Sequence, residues 1–101
     1  MAKRRKPSEW AEVALKMVQD QIRLATDLLD WAYDALRRGA VRSAFTFWLQ
    51  IYDAIGSGHT LLTLLSYMRA LPEQEIETFR ETLRRLYEDA EELRHAIRLP
   101  A

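Results

Sequence analysis

The sequence predicts an all-α protein, an up-down bundle of three long antiparallel helices. Three observations carry that expectation. Glycine and proline are scarce, three of each in 101 residues, while Ala, Leu, Glu and Arg, all helix formers, dominate. Apolar residues recur at three- and four-residue intervals, and no stretch alternates in the manner of a half-buried strand. Gly39 and Pro72 divide the chain into segments of matched length. At about 1.5 Å per residue, residues 8–38, 40–70 and 72–98 each make a rod of roughly 40–46 Å. A chain of this size is one domain, expected over 8–101 behind a short basic tail at 1–7.

The tail, MAKRRKP, carries Lys3, Arg4, Arg5 and Lys6 ahead of Pro7. It is either a solvated terminus or an arm contacting nucleic acid or another anionic partner. Four charges would bind phosphate without reading sequence. The first helix is expected to start at Ser8, whose hydroxyl can accept from the first-turn N–H groups. Glu9 and Glu12 then suit the positive end of the helix, and Arg37 and Arg38 the negative end. Gly39 stops it. Two apolar stripes run along this helix, Trp10–Met17–Leu24–Leu28–Trp31 and Leu15–Val18–Ile22–Ala25–Leu29–Ala32–Leu36. Together they are wider than one neighbour can cover. Asp20, Asp27, Asp30 and Asp34 occupy the remaining face.

The stretch from Ala40 to Leu71 is the least polar of the chain, with Arg42, Gln50, Asp53, His59 and Arg69 as its strongly polar or ionisable residues. It is expected to be a central helix buried on most sides. Its apolar register passes unbroken through Gly56-Ser57-Gly58. Two glycines cost a helix interior about 2 kcal/mol relative to alanine, so a break there would give four helices. The matched rod lengths favour one continuous helix, kinked if at all at the glycines. Pro72 ends it at Leu71 and fits the first turn of the third helix. That helix shows one seam, Ile76–Phe79–Leu83–Leu86–Tyr87–Ala90–Leu93–Ile97, and one charged face.

Composition narrows function. Fifteen basic and fifteen acidic residues cancel, unlike a domain that binds nucleic acid over its whole surface. The absence of cysteine removes disulfides, thiolate metal sites and cysteine nucleophiles. No apolar run follows the basic start, so no signal peptide is expected, and the expected location is cytoplasmic. Residues 44–68 are long enough to span a bilayer. Asp53 and His59 would then sit near its middle, at about 2.5–3.5 kcal/mol for a carboxylate, and no membrane span is expected. Ser57 near His59 lacks a nucleophile elbow. Gly56-Ser57-Gly58 lacks the lysine of a phosphate-binding loop. A lone histidine is a poor metal site, so no metal is assigned and no cofactor identified.

The residues Gln21, Tyr52, Gly56, Gly58, His59 and Thr63 are expected at one level of the bundle. Three readings stay open: a structural polar layer, close packing across a dimer interface, or a small pocket. In the last, His59 would act on a ligand and the glycines would make room for it. In size and helix count the chain resembles the small all-helical chorismate mutases, through Gln21-Ile22-Arg23 and Leu28-Leu29. The basic residues those enzymes carry on the second helix are lacking, so their activity is not transferred. The run Leu36 to Ala44 resembles the helix junction of HEPN domains, whose arginine-to-histidine ribonuclease spacing is absent.

Helix 2 and the second stripe of helix 1 offer more apolar surface than helix 3 can cover. Uncovered patches of that size mark interfaces, and two-fold dimers are the commonest outcome. The expected function is therefore non-enzymatic, a self-associating assembly or accessory subunit. Its expected interface is Phe45, Phe47, Trp48, Ile51 and Tyr52. The alternative is a ligand-binding or catalytic bundle built on the pocket around His59.

Overall fold

The computed structural model describes residues 7–98, and they form three helices and no strand. The elements are α1 (Pro7–Arg37), α2 (Val41–Tyr67) and α3 (Glu73–Ala96). The basic cluster Lys3, Arg4, Arg5 and Lys6 lies outside the described residues, as does Pro100. Pro7, expected in the tail, is the first residue of α1. Proline suits that position because its φ is already helical and its missing N–H would have no partner there. Ser8 is therefore inside the helix and does not precede it as a cap.

α2 is continuous through Gly56-Ser57-Gly58, so the four-helix alternative is not realised. It is the element on which both neighbours pack, α1 more extensively than α3. Its buried residues are Ala44, Ile51, Ala54, Ile55, Gly58, Leu62 and Leu65, one face at helical spacing. The expectation of burial on most sides is thus corrected. Leu49, Tyr52, Leu64 and Tyr67 are exposed, because two neighbours on adjacent sides leave the back of a helix open.

From α1 the core takes Ala11, Ala14, Val18, Ala25, Leu28, Leu29 and Ala32, and from α3 Ile76, Leu83, Leu86, Ala90 and Leu93. Alanines dominate the α1 contribution, which lets that helix approach closely. Contacts between elements pair residues whose numbers rise on one helix as they fall on the next. Trp31 meets Phe47, and Gln21 lies beside Gly58. Trp48 meets Ala90, Tyr52 meets Tyr87, and Gly58 meets Leu83. Tyr33 of α1 comes near α3. Burial, then the carboxylates of Glu92 and Asp89, push its phenol above the ordinary value. This packing is compatible with a helical bundle. None of the described helices is long and apolar enough to cross a membrane.

Both connections use the same helix-ending motif. After α1, Ala40 N–H donates to the Ala35 carbonyl at 2.8 Å and Gly39 N–H to Leu36 at 3.0 Å. Gly39 is left-handed, with φ 76°. After α2, Ala70 N–H donates to Leu65 and Arg69 N–H to Ser66, both at 3.0 Å. Here the left-handed residue is Arg69, with φ 52°. These are paired 6→1 and 5→2 bonds that satisfy the last carbonyls of a helix. α2 therefore stops at Tyr67, earlier than the approach of Pro72 implies. Pro72 itself caps α3 from outside, with ψ 140°, and its carbonyl accepts from Glu75 and Ile76.

Candidate functional site

The candidate site is the outward face of α2 with the edge of α3 beside it. Phe45, Leu49, Tyr52, Gly56, Thr63 and Tyr67 follow one another at three-, four- and seven-residue steps, which places them on one side of a helix. Tyr67 is 86% exposed, Leu49 47% and Tyr52 46%. The rings form a ladder. Phe45 stacks on Trp48 at 5.7 Å between centroids, Trp48 meets Tyr52 at 5.5 Å, and Tyr52 meets Tyr87 of α3 at 5.8 Å. These separations lie within the range where aromatic pairs attract. The ladder is anchored inward at one point, where the Trp48 indole N–H donates to the Ala90 carbonyl at 3.0 Å.

Below the ladder a groove of about 510 Å³ opens between α2 and α3, lined by Tyr52, Ile55, Gly56, His59, Arg80, Leu83, Arg84 and Tyr87. Ile55 and Leu83 are buried and form its floor. The arginines form a rim already occupied by acids of their own helix. Arg80 pairs with Glu77 at 2.6 Å and Glu73 at 3.7 Å, while Arg84 pairs with Glu81 and, at 3.1 Å, with Glu88. The hydrogen bond and charge of Tyr52, then Glu91, raise the Tyr87 phenol above its usual value, against the opposing effect of Arg94.

Of the expected pocket residues, Tyr52, Gly56 and His59 meet in this groove. Gln21 and Thr63 do not line it. Gln21 lines a second depression, on the α1 side of α2, which shares Tyr52 and Gly56 with the groove and also holds Met17, Asp53 and Ser57. Thr63 is exposed, and its hydroxyl donates to the His59 carbonyl one turn back at 3.0 Å. Gly58 is buried beneath the groove, where an added Cβ would stand 3.2 Å from Leu83 Cδ2. No polar side chain is buried among the described residues, so this level holds apolar packing and not an internal polar layer. Nor do three of His, Asp and Glu converge there as metal ligands would.

Of the expected interface residues, Ile51 is fully buried within the chain. It is a core residue, because it sits on the side of α2 shared by α1 and α3. Phe47 and Trp48 are half-buried against the core, Phe47 beside Trp31 at 6.1 Å. Phe45 is half-buried and Tyr52 exposed. Reading the sequence missed Leu49, which shares the spacing of Phe45 and Tyr52. It also missed Tyr87 as a rim residue, since Tyr87 keeps the period of the inward seam of α3. Comparison with protein-family models, with curated proteins and with solved structures finds no match to this chain.

Proposed function

We propose that this chain is a non-enzymatic homotypic assembly module, an up-down bundle that associates through the outward face of α2. The opposed numbering of the contact pairs on α1, α2 and α3 supports antiparallel neighbours. One observation carries the functional reading: Leu49 and Tyr52 stand exposed beside Phe45 on the outward face of α2, next to an apolar-floored groove that the chain's own helices leave open. Exposed single apolar residues are ordinary on any protein, but a contiguous row marks a contact surface. The groove's polar groups lie on its rim and its arginines are already paired, whereas a small-molecule site usually aims a few polar groups inward.

Sedimentation velocity across a dilution series tests the proposal. The expected result is a species of twice the 11.9 kDa chain mass that dissociates on dilution. A chain that stays monomeric at high micromolar concentration overturns it. For the small-molecule alternative, a dye titration of the wild type and of His59→Ala that gives the same spectrum removes His59 from consideration.

A further inference from the structure

We infer that the α2–α3 connection is a hinge through which two copies of this chain exchange α3, each α3 packing on the α1–α2 pair of the other. The inference goes beyond the outward face of α2 and does not depend on it.

The two connections of the fold close with the same pair of backbone bonds, yet their sequences differ. After α1 the left-handed position is Gly39, at φ 76°, and glycine takes that conformation freely. After α2 it is Arg69, at φ 52°, where an L-residue's Cβ is pressed toward its following carbonyl. Met68-Arg69-Ala70-Leu71 contains no glycine or proline, and all four residues rank among the strongest helix formers. The first breaker is Pro72, which turns the residue before it, Leu71, away from helix. Local preference therefore runs α2 on to Ala70, whereas in the folded chain α2 ends at Tyr67. Short connections under strain favour exchange of the element they lead to.

α3 is the element this hinge releases. In the open form α2 lengthens through Ala70, and Pro72 keeps the extended backbone it already has, with ψ 140°. α3 then points away from its own bundle. It is suited to leaving as a unit, because it packs on α2 less extensively than α1 does, and on α1 less still. Its arginines pair with acids of the same helix, Arg80 with Glu77, Arg84 with Glu88 and Arg94 with Glu91, so those pairs travel with it.

Departure frees Trp48, Tyr52 and Gly58 of α2 from Ala90, Tyr87 and Leu83. The occupant that fits the vacated seat is α3 of a second copy, since it carries the same side chains in the same order. The Trp48 indole then donates to the partner's Ala90, Tyr52 meets the partner's Tyr87, and Gly58 receives the partner's Leu83. The seam is the same in both forms. Relief of two strained hinges favours the dimer, against the entropy of bringing two chains together. Because α3 must leave before it is exchanged, the two forms interconvert slowly, unlike copies held face to face.

The chain has no cysteine, and an added Cβ at Gly58 would stand 3.2 Å from Leu83 Cδ2, so thiols at these two positions face each other across the seam. The Gly58→Cys/Leu83→Cys chain is refolded from denaturant under reducing conditions at high concentration, separated by size and then oxidised. The monomer fraction should link within one chain. The dimer fraction should link between chains and run as a covalent dimer in denaturing, non-reducing electrophoresis. A dimer fraction that runs as single chains overturns the inference and leaves face-to-face association standing. Hinge variants read the same exchange without touching the core. Arg69→Gly relieves the closed turn and weakens the lengthened helix, and should raise the dissociation constant taken from the refolded fractions about tenfold or more. Arg69→Val, whose β-branched side chain tolerates positive φ worst, should lower it. Constants that do not move in opposite directions overturn the inference. A wild-type chain that refolds to monomer alone at every concentration removes both this inference and the homotypic reading.

Discussion

Gly56 and Gly58 are two residues apart on one helix and answer to different constraints. Gly58 is inward, where an added Cβ would press on Leu83 of α3 at 3.2 Å and touch the Gln21 stem of α1 at 3.7 Å. Its cost to α2 is offset by the closeness of two neighbouring helices. Gly56 is outward, with nothing near it in the chain, and its cost has no return within the fold. The residues beside them divide in the same way. Ile51 is completely buried while its neighbour Tyr52 stands nearly half exposed. α2 is thus two helices in one, an inner face governed by packing and an outer face that packing leaves unexplained. A residue that weakens the fold without serving it is where a role outside the fold should be sought.

The sharpest way to break this division is to truncate across it. Ile51→Ala removes a fully buried branched side chain and should cost about 3 kcal/mol, the usual range for such a cavity. Tyr52→Ala, one residue along, forfeits ring contacts with Trp48 and Tyr87 and an exposed hydrogen bond to Tyr87, and should cost about 1 kcal/mol. Chemical denaturation at low protein concentration, where association adds nothing to stability, measures both. Equal losses would mean that the outer face belongs to the core after all.

The glycines themselves give the next contrast. Gly58→Leu drives a branched side chain into Leu83 and the Gln21 stem and should cost about 2 kcal/mol through overpacking. Gly56→Ala meets open space and should stabilise the monomer by about 1 kcal/mol through helix propensity alone. The opposite signs are the test, read as opposite shifts of the denaturation midpoint. A loss at Gly56→Ala would reveal an intrachain constraint that the packing does not show.

Much of the fold is legible in the sequence because helical period and breakers act locally. The apolar seam of α3 reads directly, and the unbroken register through Gly56-Ser57-Gly58 points to the continuous helix that forms. The site is less legible. Placing Gln21, His59 and Thr63 at one level along the bundle says nothing of the direction in which each faces. Small azimuthal differences put Thr63 in solvent, His59 in one groove, Gln21 in a second depression that shares Tyr52 and Gly56 with it, and Leu83 in the space assigned to a polar layer. Ile51 was assigned to an interface for the same reason: hydrophobicity identifies a contact face without saying whose. Arg69 is the clearest failure, since nothing in an arginine announces a left-handed residue.

That arginine gives the smallest effect and repeats the contrast between the glycines. The turns after α1 and α2 close with the same pair of backbone bonds, and both need one residue at positive φ. Gly39 meets that need without steric cost. Arg69 meets it with a Cβ pressed toward its following carbonyl, a conformation that costs an L-residue roughly 1–2 kcal/mol. Glycine at position 69 would remove that strain but add freedom to the unfolded chain, which returns about 0.4–1 kcal/mol of the gain. Arg69→Gly should therefore stabilise the protein by about 0.5–1 kcal/mol in thermal or chemical denaturation. Gly39→Ala should destabilise it through the strain it introduces. If Arg69→Gly is neutral or harmful, the exposed arginine side chain contributes an interaction that outweighs its backbone strain, and the second turn, like the outer face of α2, is shaped by more than the fold.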